Sequence, residues 1–160
     1  MKIAALQMVS GLNVAANLAQ ARSLMQQAQA LGAELVVLPE YFCGMGARDT
    51  DKLVYREAFA QGPIQDFLAQ AAKELQLWVV AGTLPLVADD DQHVLNSSLV
   101  YAPSGECVAR YDKIHLFQFD NGREHYTEAA VVQAGQQPVV CDIQAKSGET
   151  WRLGLSVCYD

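Results

Sequence analysis

The sequence predicts an α/β fold, in which apolar strands form a sheet that amphipathic helices cover. The first 40 of its 160 residues follow the order strand, helix, strand, which joins two parallel neighbours in a sheet. A helix and a strand follow again over residues 63–86. The predicted strands are mostly apolar on both faces, which is typical of a sheet covered on both sides. We therefore expect helices on one side of the sheet and a second apolar layer on the other.

Turn and capping residues mark the ends of the elements in the first strand–helix–strand unit. The apolar segment KIAALQM (2–8) ends at SGLN and predicts a buried strand. Asn13 is the expected N-cap of a helix over 14–32, whose apolar residues recur at three- and four-residue spacing and whose natural end is Gly32. The next apolar segment, 34–40, predicts a second strand.

The remaining elements follow the same reasoning. A helix over 63–76 begins at a proline, and a strand over 77–86 follows it. The acidic tract 88–93 is expected to be an exposed turn, because three consecutive aspartates cannot all face one metal ion. The other segments are two hairpins and an irregular stretch: strands 94–102 and 107–117 around PSGE, irregular 118–136, and strands 138–143 and 151–158 around AKSGE.

The composition narrows the class of partner. The chain has 18 acidic and 11 basic residues, for a net charge of −7. Nucleic acids and anionic membranes bind basic surfaces, so neither is expected as a partner. The apolar start is too short to span a bilayer and lacks a cleavage pattern, so we expect a cytoplasmic protein.

The cysteines do not form a metal-binding pattern. None belongs to a Cys-x-x-Cys pair or stands at zinc-ligand spacing from a histidine, so free thiols and no metal are expected. Taken singly, each would be a small packed hydrophobe. The four are Cys43, Cys107, Cys141 and Cys158.

Three polar residues stand where apolar segments end: Glu40, Lys113 and Cys158. Alone, each has a commoner explanation, as a solvated charge or a packed thiol. Together they form a chemical set, because a thiol needs a base to become a nucleophile and an ammonium group can stabilise an oxyanion. Such a set could carry out acyl transfer without histidine. His115, two residues from Lys113 and expected on the same face of a strand, is the alternative base.

These residues lie in the motifs LPEYF, YDKIHLF and LGLSVCYD. The motifs, together with the segments KIAALQM and NSSLVYAPSGE, resemble the nitrilase superfamily of carbon–nitrogen hydrolases. The resemblance implies that Glu40 is the base, Lys113 the catalytic lysine and Cys158 the nucleophile. It also implies a nitrilase-like α-β-β-α sandwich, of which this chain would hold only the first, incomplete portion.

Two further roles follow from the resemblance. The segment YTEAAVVQAGQQPVV is similar to the region of a second family glutamate, which positions the lysine and the substrate. Glu128 fits this role better than Glu124. The oxyanion would be held by Lys113 and by the backbone N–H of Tyr159. No cofactor is implied.

The motifs are most similar to the Nit-type amidases. The implied reaction is hydrolysis of a small linear carboxy-amide, of the ω-amide or deaminated-glutathione type, through a cysteine thioester. Nitrile or N-carbamoyl amino acid hydrolysis uses the same residues and stays open, as do a Cys–His hydrolase using His115 and a catalytically inactive fragment.

The family is longer than this chain. Residues 1–160 are therefore expected to be the N-terminal part of a carbon–nitrogen hydrolase domain whose C-terminal remainder is absent here. The complete protein is expected to act on a small-molecule amide and to form a homodimer or higher homo-oligomer.

Overall fold

The computed structural model describes all residues 1–160 and contains a seven-stranded sheet with two helices packed against one face. The helices are α1 (Val14–Ala30) and α2 (Pro63–Leu75), and two 3-10 helices span Asp49–Leu53 and Glu128–Ala130. The strands are β1 (Ile3–Ala5), β2 (Leu35–Val37), β3 (Trp78–Val80), β4 (Leu84–Val87), β5 (Val94–Tyr101), β6 (Cys107–Asp112), β7 (Gln118–Asp120), β8 (His125–Thr127), β9 (Val132–Gln133), β10 (Val140–Gln144) and β11 (Thr150–Gly154).

The opening strand–helix–strand order is confirmed. The prediction of a buried strand over 2–8 is wrong, because β1 covers only Ile3–Ala5 at the edge of the sheet and both of its end residues are exposed. Strands β1, β2 and β3 are parallel neighbours, in that order. The Asn13 side chain caps α1 by accepting a hydrogen bond from Ala16 N at 3.1 Å. The helix ends at Ala30, two residues earlier than predicted, and Gly32 follows with φ +83°, a conformation that glycine adopts without steric cost.

The single strand predicted over 77–86 is wrong, because the structure divides it into β3 and β4. Both strands run antiparallel to β5, but the three residues 81–83 lie opposite only two residues of β5. The extra residue forms a β-bulge, a feature that local hydrophobicity does not reveal.

This bulge positions the segment that follows β2. Gly82 has φ +54°, and a Cβ atom there would lie 2.0 Å from the Pro39 carbonyl oxygen, so the close approach requires glycine. The next residue, Thr83, accepts a hydrogen bond from Tyr41 N at 2.8 Å. The bulge therefore fixes the backbone on both sides of Glu40.

The β5–β6 hairpin is confirmed, but its second strand ends at Asp112 and not at residue 117. The stretch 118–136, predicted to be irregular, contains the β7–β8 hairpin and β9. Strands β7 and β8 have three residues each and are largely exposed, so they carry almost no apolar pattern. Because β6 ends at Asp112 and β7 begins only at Gln118, His115 does not lie on a strand, contrary to prediction.

The second layer is formed by the β10–β11 hairpin. Ile143 of β10 packs on Leu35, Val80 and Val100, on the face of the sheet opposite the helices. Strand β11 ends at Gly154, earlier than the predicted 158. The predicted α/β class, with helices on one side of the sheet and an apolar layer on the other, is confirmed. Neither helix combines the length and the apolar character that crossing a membrane requires.

Candidate active site

Glu40 lies in the turn that follows β2, and its carboxylate faces the middle of β5. Glu40 Oε1 accepts a hydrogen bond from Asn96 Nδ2 at 2.8 Å and lies 3.4 Å from Lys113 Nζ. Asn96 is fully buried. The base proposed from the sequence is therefore held in place by an amide on the central strand.

Lys113 is the first residue after β6, and its backbone continues the pairing with β5. Lys113 N donates to Asn96 O at 2.9 Å, and Gly135 N donates to Lys113 O at 2.8 Å. Its side chain is 1% exposed, with Nζ 2.8 Å from Glu128 Oε2. Burial alone lowers the pKa of Lys113, but Glu128 and Glu40 outweigh it, so the pKa is raised. The ammonium group is thus a permanently charged donor.

Glu128 begins the second 3-10 helix and is buried. Its Oε2 accepts a hydrogen bond from Phe117 N at 2.8 Å as well as from Lys113, and Glu128 N donates to Phe117 O at 2.9 Å. Glu124 is exposed in the turn between β7 and β8. Of the two glutamates considered from the sequence, the structure brings Glu128 to the lysine.

Cys158 lies in the turn after β11 with φ +52°, a conformation that costs energy for a residue with a side chain. Its thiol lines the same cavity as Glu40 and Lys113. Burial and then the negative charge of Glu40 raise the pKa of Cys158, with Lys113 acting in the opposite direction. The thiol is therefore protonated at neutral pH and needs a base before it can attack. The other three cysteines are also free thiols, and none of them lines this cavity.

Asp160 connects the Cys158 turn to the end of β6, a role not expected from the sequence. Its carboxylate accepts hydrogen bonds from Tyr111 Oη at 2.6 Å, from His115 N at 2.9 Å and from Val157 N at 2.9 Å. His115 Nδ1 also lies 3.0 Å from it. Burial acts to raise the pKa of Asp160, but these hydrogen bonds outweigh it and lower the pKa to about 2.

His115, the alternative base, lies outside the cavity that holds Cys158. Its side chain is 66% exposed, its Nδ1 faces Asp160, and it does not line the cavity that holds Cys158. The sequence-based expectation that His115 shares a face with Lys113 is wrong, because β6 ends at Asp112 and the chain leaves the sheet after Lys113.

We expect Asp160→Asn to destabilise the complete protein by about 2 kcal/mol at pH 7, because its donors lose a charged acceptor. An aspartate titrates near pH 3.9 in an unfolded chain, so a folded pKa of about 2 stabilises the protein above that pH. The stabilisation is lost as the pH falls toward 2. Urea unfolding at pH 7 and pH 3 should show the difference between variant and parent shrink at the lower pH.

Asp142→Asn is the matched control, because the Asp142 carboxylate pairs with Arg152 on an exposed hairpin. An exposed ion pair contributes about 1 kcal/mol or less. An equal loss in both variants, or a difference that does not change with pH, would contradict the role given to Asp160.

Tyr159 lies between Cys158 and Asp160 with its side chain largely exposed. The ring packs edge-on against Phe117, with centroids 5.7 Å apart. The Tyr159 N–H donates no hydrogen bond within the chain, and Tyr159 is not among the residues that line the cavity with Cys158.

The site is a cavity of about 270 Å³. It is lined by Glu40, Tyr41, Gly44, Met45, Gly46, Arg48, Asp49, Lys52, Tyr55, Lys113, Phe117, Tyr126, Glu128 and Cys158. The structure thus brings together the four side chains that the sequence singled out, from four separate elements and loops. No group of three or more His, Cys, Asp or Glu side chains is arranged to hold a metal ion.

Sequence reasoning missed Asn96 as part of this site. The available signal was an amide within the otherwise apolar run VLNSSLVY, since a buried polar side chain requires hydrogen-bond partners. That signal points to a buried contact but does not identify Glu40 and Glu128, whose Oε1 atoms lie 2.8 and 3.4 Å from Asn96 Nδ2.

Comparison with known proteins identifies the family of the chain. The carbon–nitrogen hydrolase family model matches residues 2–160. The deaminated glutathione amidase of Synechocystis is 40% identical over 98% of this chain and 57% of its own length. The human omega-amidase NIT2 is 30% identical over 90% of this chain and 49% of its own length.

Solved structures show the same fold. The Caenorhabditis elegans NitFhit protein superposes with a TM-score of 0.83 at 27% identity, covering 98% of this chain and 37% of that one. A nitrilase-superfamily amidase from Nesterenkonia superposes with a TM-score of 0.78 at 25% identity, covering all of this chain and 56% of that one. The chain spans about half the length of the curated relatives it matches. By its family match and its relatives, the chain belongs to the carbon–nitrogen hydrolases of the nitrilase superfamily.

Proposed function

We propose that this chain carries the catalytic centre of an amidase that hydrolyses the C–N bond of a small linear carboxy-amide. The observation that carries the proposal is the cavity in which the Cys158 thiol, the Glu40 carboxylate and the Lys113 ammonium group meet. A protonated thiol, a base and a fixed cation are what acyl transfer through cysteine requires.

In the first half of the reaction Glu40 takes the proton of the Cys158 thiol, and the sulfur attacks the amide carbonyl carbon. The oxyanion that forms is held by Lys113 Nζ and the Tyr159 N–H. Collapse of this intermediate breaks the C–N bond. The leaving ammonia or amine takes the proton from Glu40, and a thioester remains on Cys158.

In the second half Glu40 takes a proton from water, and the resulting hydroxide attacks the thioester. Lys113 and Tyr159 again hold the oxyanion. The C–S bond breaks, the sulfur recovers its proton from Glu40 and the carboxylic acid leaves. Glu128 and Asn96 do not react: their hydrogen bonds hold Lys113 and Glu40 in position through both halves.

Relatives support the choice of substrate class. Proteins named deaminated glutathione amidase and omega-amidase are among the similar chains, and both names describe amidases. Nitrilase and N-carbamoyl amino acid hydrolase activity are the competing assignments, because both would use the same residues.

We further propose that residues 1–160 belong to one carbon–nitrogen hydrolase domain. The complete protein would work in the cytoplasm as a homodimer or larger homo-oligomer, without a nucleic-acid or membrane partner. The net charge of −7 supports the proposal that neither a nucleic acid nor a membrane is a partner.

A substrate panel tests the proposed function. The complete protein is incubated with α-ketoglutaramate, deaminated glutathione, an N-carbamoyl amino acid and an aliphatic nitrile, and the acid products are measured by mass spectrometry. We expect turnover of one or both of the carboxy-amides. Turnover of the nitrile or the carbamoyl compound alone would contradict the assignment, and turnover of none would favour a catalytically inactive protein.

A further inference from the structure

The hydroxyl group of Tyr41 has no hydrogen-bond partner, although the residue is only 9% exposed. Tyr41 lines the catalytic cavity next to Glu40. A buried hydroxyl without a partner is costly, and in native proteins it usually has one. Burial and then the negative charge of Glu128 raise the pKa of Tyr41, so the group is a neutral O–H donor. A ligand that enters the cavity can bring the missing acceptor.

Lys52 supplies a cation to the same part of the cavity. It lies in the 3-10 helix Asp49–Leu53, its side chain is 12% exposed, and its Nζ lies 4.4 Å from the centroid of the Tyr41 ring. Its nearest acidic partner, Asp49 Oδ1, is 3.7 Å away, beyond hydrogen-bond distance. The Lys52 ammonium group therefore keeps its N–H donors for a ligand.

The other two cations of the cavity are differently placed. Lys113 is held between Glu128 and Glu40, and its charge is balanced by them. The Arg48 side chain is 82% exposed, outside the region where a ligand would be desolvated. Lys52 is thus the mainly buried cation of the cavity that is not already engaged by hydrogen bonds.

We propose that the Tyr41 hydroxyl and the Lys52 ammonium group form a subsite that binds the carboxylate of the substrate. The proposal rests on the proposed function, since it concerns the end of the carboxy-amide that does not react. Glu40 and Glu128 repel a carboxylate from the catalytic end of the cavity. The substrate is therefore oriented with its neutral amide at Cys158 and its carboxylate at Lys52, which makes Lys52 a determinant of specificity.

The test compares succinamate with butanamide, which carries a methyl group in place of the carboxylate. For Lys52→Met in the complete protein, we expect the ratio of kcat/KM for succinamate to that for butanamide to fall about 10- to 100-fold. The change should lie mainly in the KM for succinamate, because binding and not chemistry is lost. Lys52→Arg should recover most of the ratio.

Lys73→Met is the matched control, because Lys73 is exposed on α2 and does not line the cavity. We expect Lys73→Met to show the same ratio of kcat/KM for succinamate to that for butanamide as the unmodified protein. An unchanged ratio in Lys52→Met would overturn the subsite.

A binding experiment separates the subsite from the proposed function. If the unmodified protein hydrolyses neither these two amides nor the carboxy-amides of the substrate panel, the proposed function fails, and succinate binding measured by calorimetry then decides the subsite. Succinate binding that Lys52→Met weakens at least about tenfold supports the subsite. Absent binding, or equal binding by both proteins, overturns it.

Tyr41→Phe provides an independent check that does not depend on charge. It keeps the ring under Lys52 but removes the unpaired hydroxyl. We expect a higher KM for succinamate together with a higher melting temperature of the ligand-free protein, because a buried donor without a partner is removed. A lower KM, or a lower melting temperature, would contradict the part assigned to this hydroxyl.

Discussion

Replacing Cys158 with alanine should abolish amide hydrolysis, with kcat/KM expected to fall about 10⁴-fold or more. The variant removes the only atom that can form the thioester, while Lys113 and the Tyr159 N–H remain to polarise the substrate. Alanine also carries a Cβ atom, so the backbone cost of φ +52° at this position is unchanged and the turn should keep its conformation. Steady-state product formation from α-ketoglutaramate measures the effect.

Cys141→Ala is the matched control for this variant. Cys141 is a half-buried free thiol on the β10–β11 hairpin and does not line the cavity. We expect it to leave kcat/KM within about twofold, since substitutions away from a site have small effects. Full activity in Cys158→Ala would exclude a cysteine thioester.

The second large effect is expected for Glu40→Gln, which should lower kcat/KM about 10³-fold or more. Glutamine keeps the size of the side chain and can still accept a hydrogen bond from Asn96, but it cannot take a proton from the thiol. Circular dichroism and melting temperature confirm that the variant is folded, and product formation measures the loss.

His115→Ala distinguishes Glu40 from the alternative base. Because the histidine ring faces Asp160 outside the cavity, its loss should disturb only the position of the Cys158 turn and lower kcat/KM by at most about tenfold. Glu124→Gln, at an exposed site, is the matched carboxylate control. Retained activity in Glu40→Gln with abolished activity in His115→Ala would assign the base to the histidine.

Local signals predicted the elements of the fold well. The Asn13 cap, the proline that begins α2 and the PSGE turn act within a few residues, so the sequence around each of them is sufficient. The parallel β1–β2 pair also follows from local order, because a strand, a helix and a second strand can pack compactly in one way.

Long-range contacts explain what the sequence did not predict. The bulge at residues 81–83 exists because Gly82 must accommodate the Pro39 carbonyl, more than forty positions earlier in the chain. Strands β7 and β8 are short and polar, and only their pairing reveals them. In each case the partner that decides the conformation is distant in sequence.

Some residues of the candidate site could likewise be predicted from the sequence, and others could not. Glu40, Lys113 and Cys158 could be selected because each follows an apolar segment and together they form a chemical set. Asn96 and Asp160 could not, because their importance lies in which groups they bond. Asn96 bonds to Glu40, and Asp160 bonds to the turn that carries Cys158.

In the proposed mechanism Cys158 forms a thioester with the acyl group of an amide. The most direct test mixes the complete protein with succinamate, stops the reaction with acid during turnover and measures the mass of the tryptic peptide that begins at Leu153. We predict a succinyl group on this peptide, lost after treatment with hydroxylamine and absent from Cys158→Ala. Turnover without any acyl group on Cys158, or with the group on another residue, would contradict the mechanism.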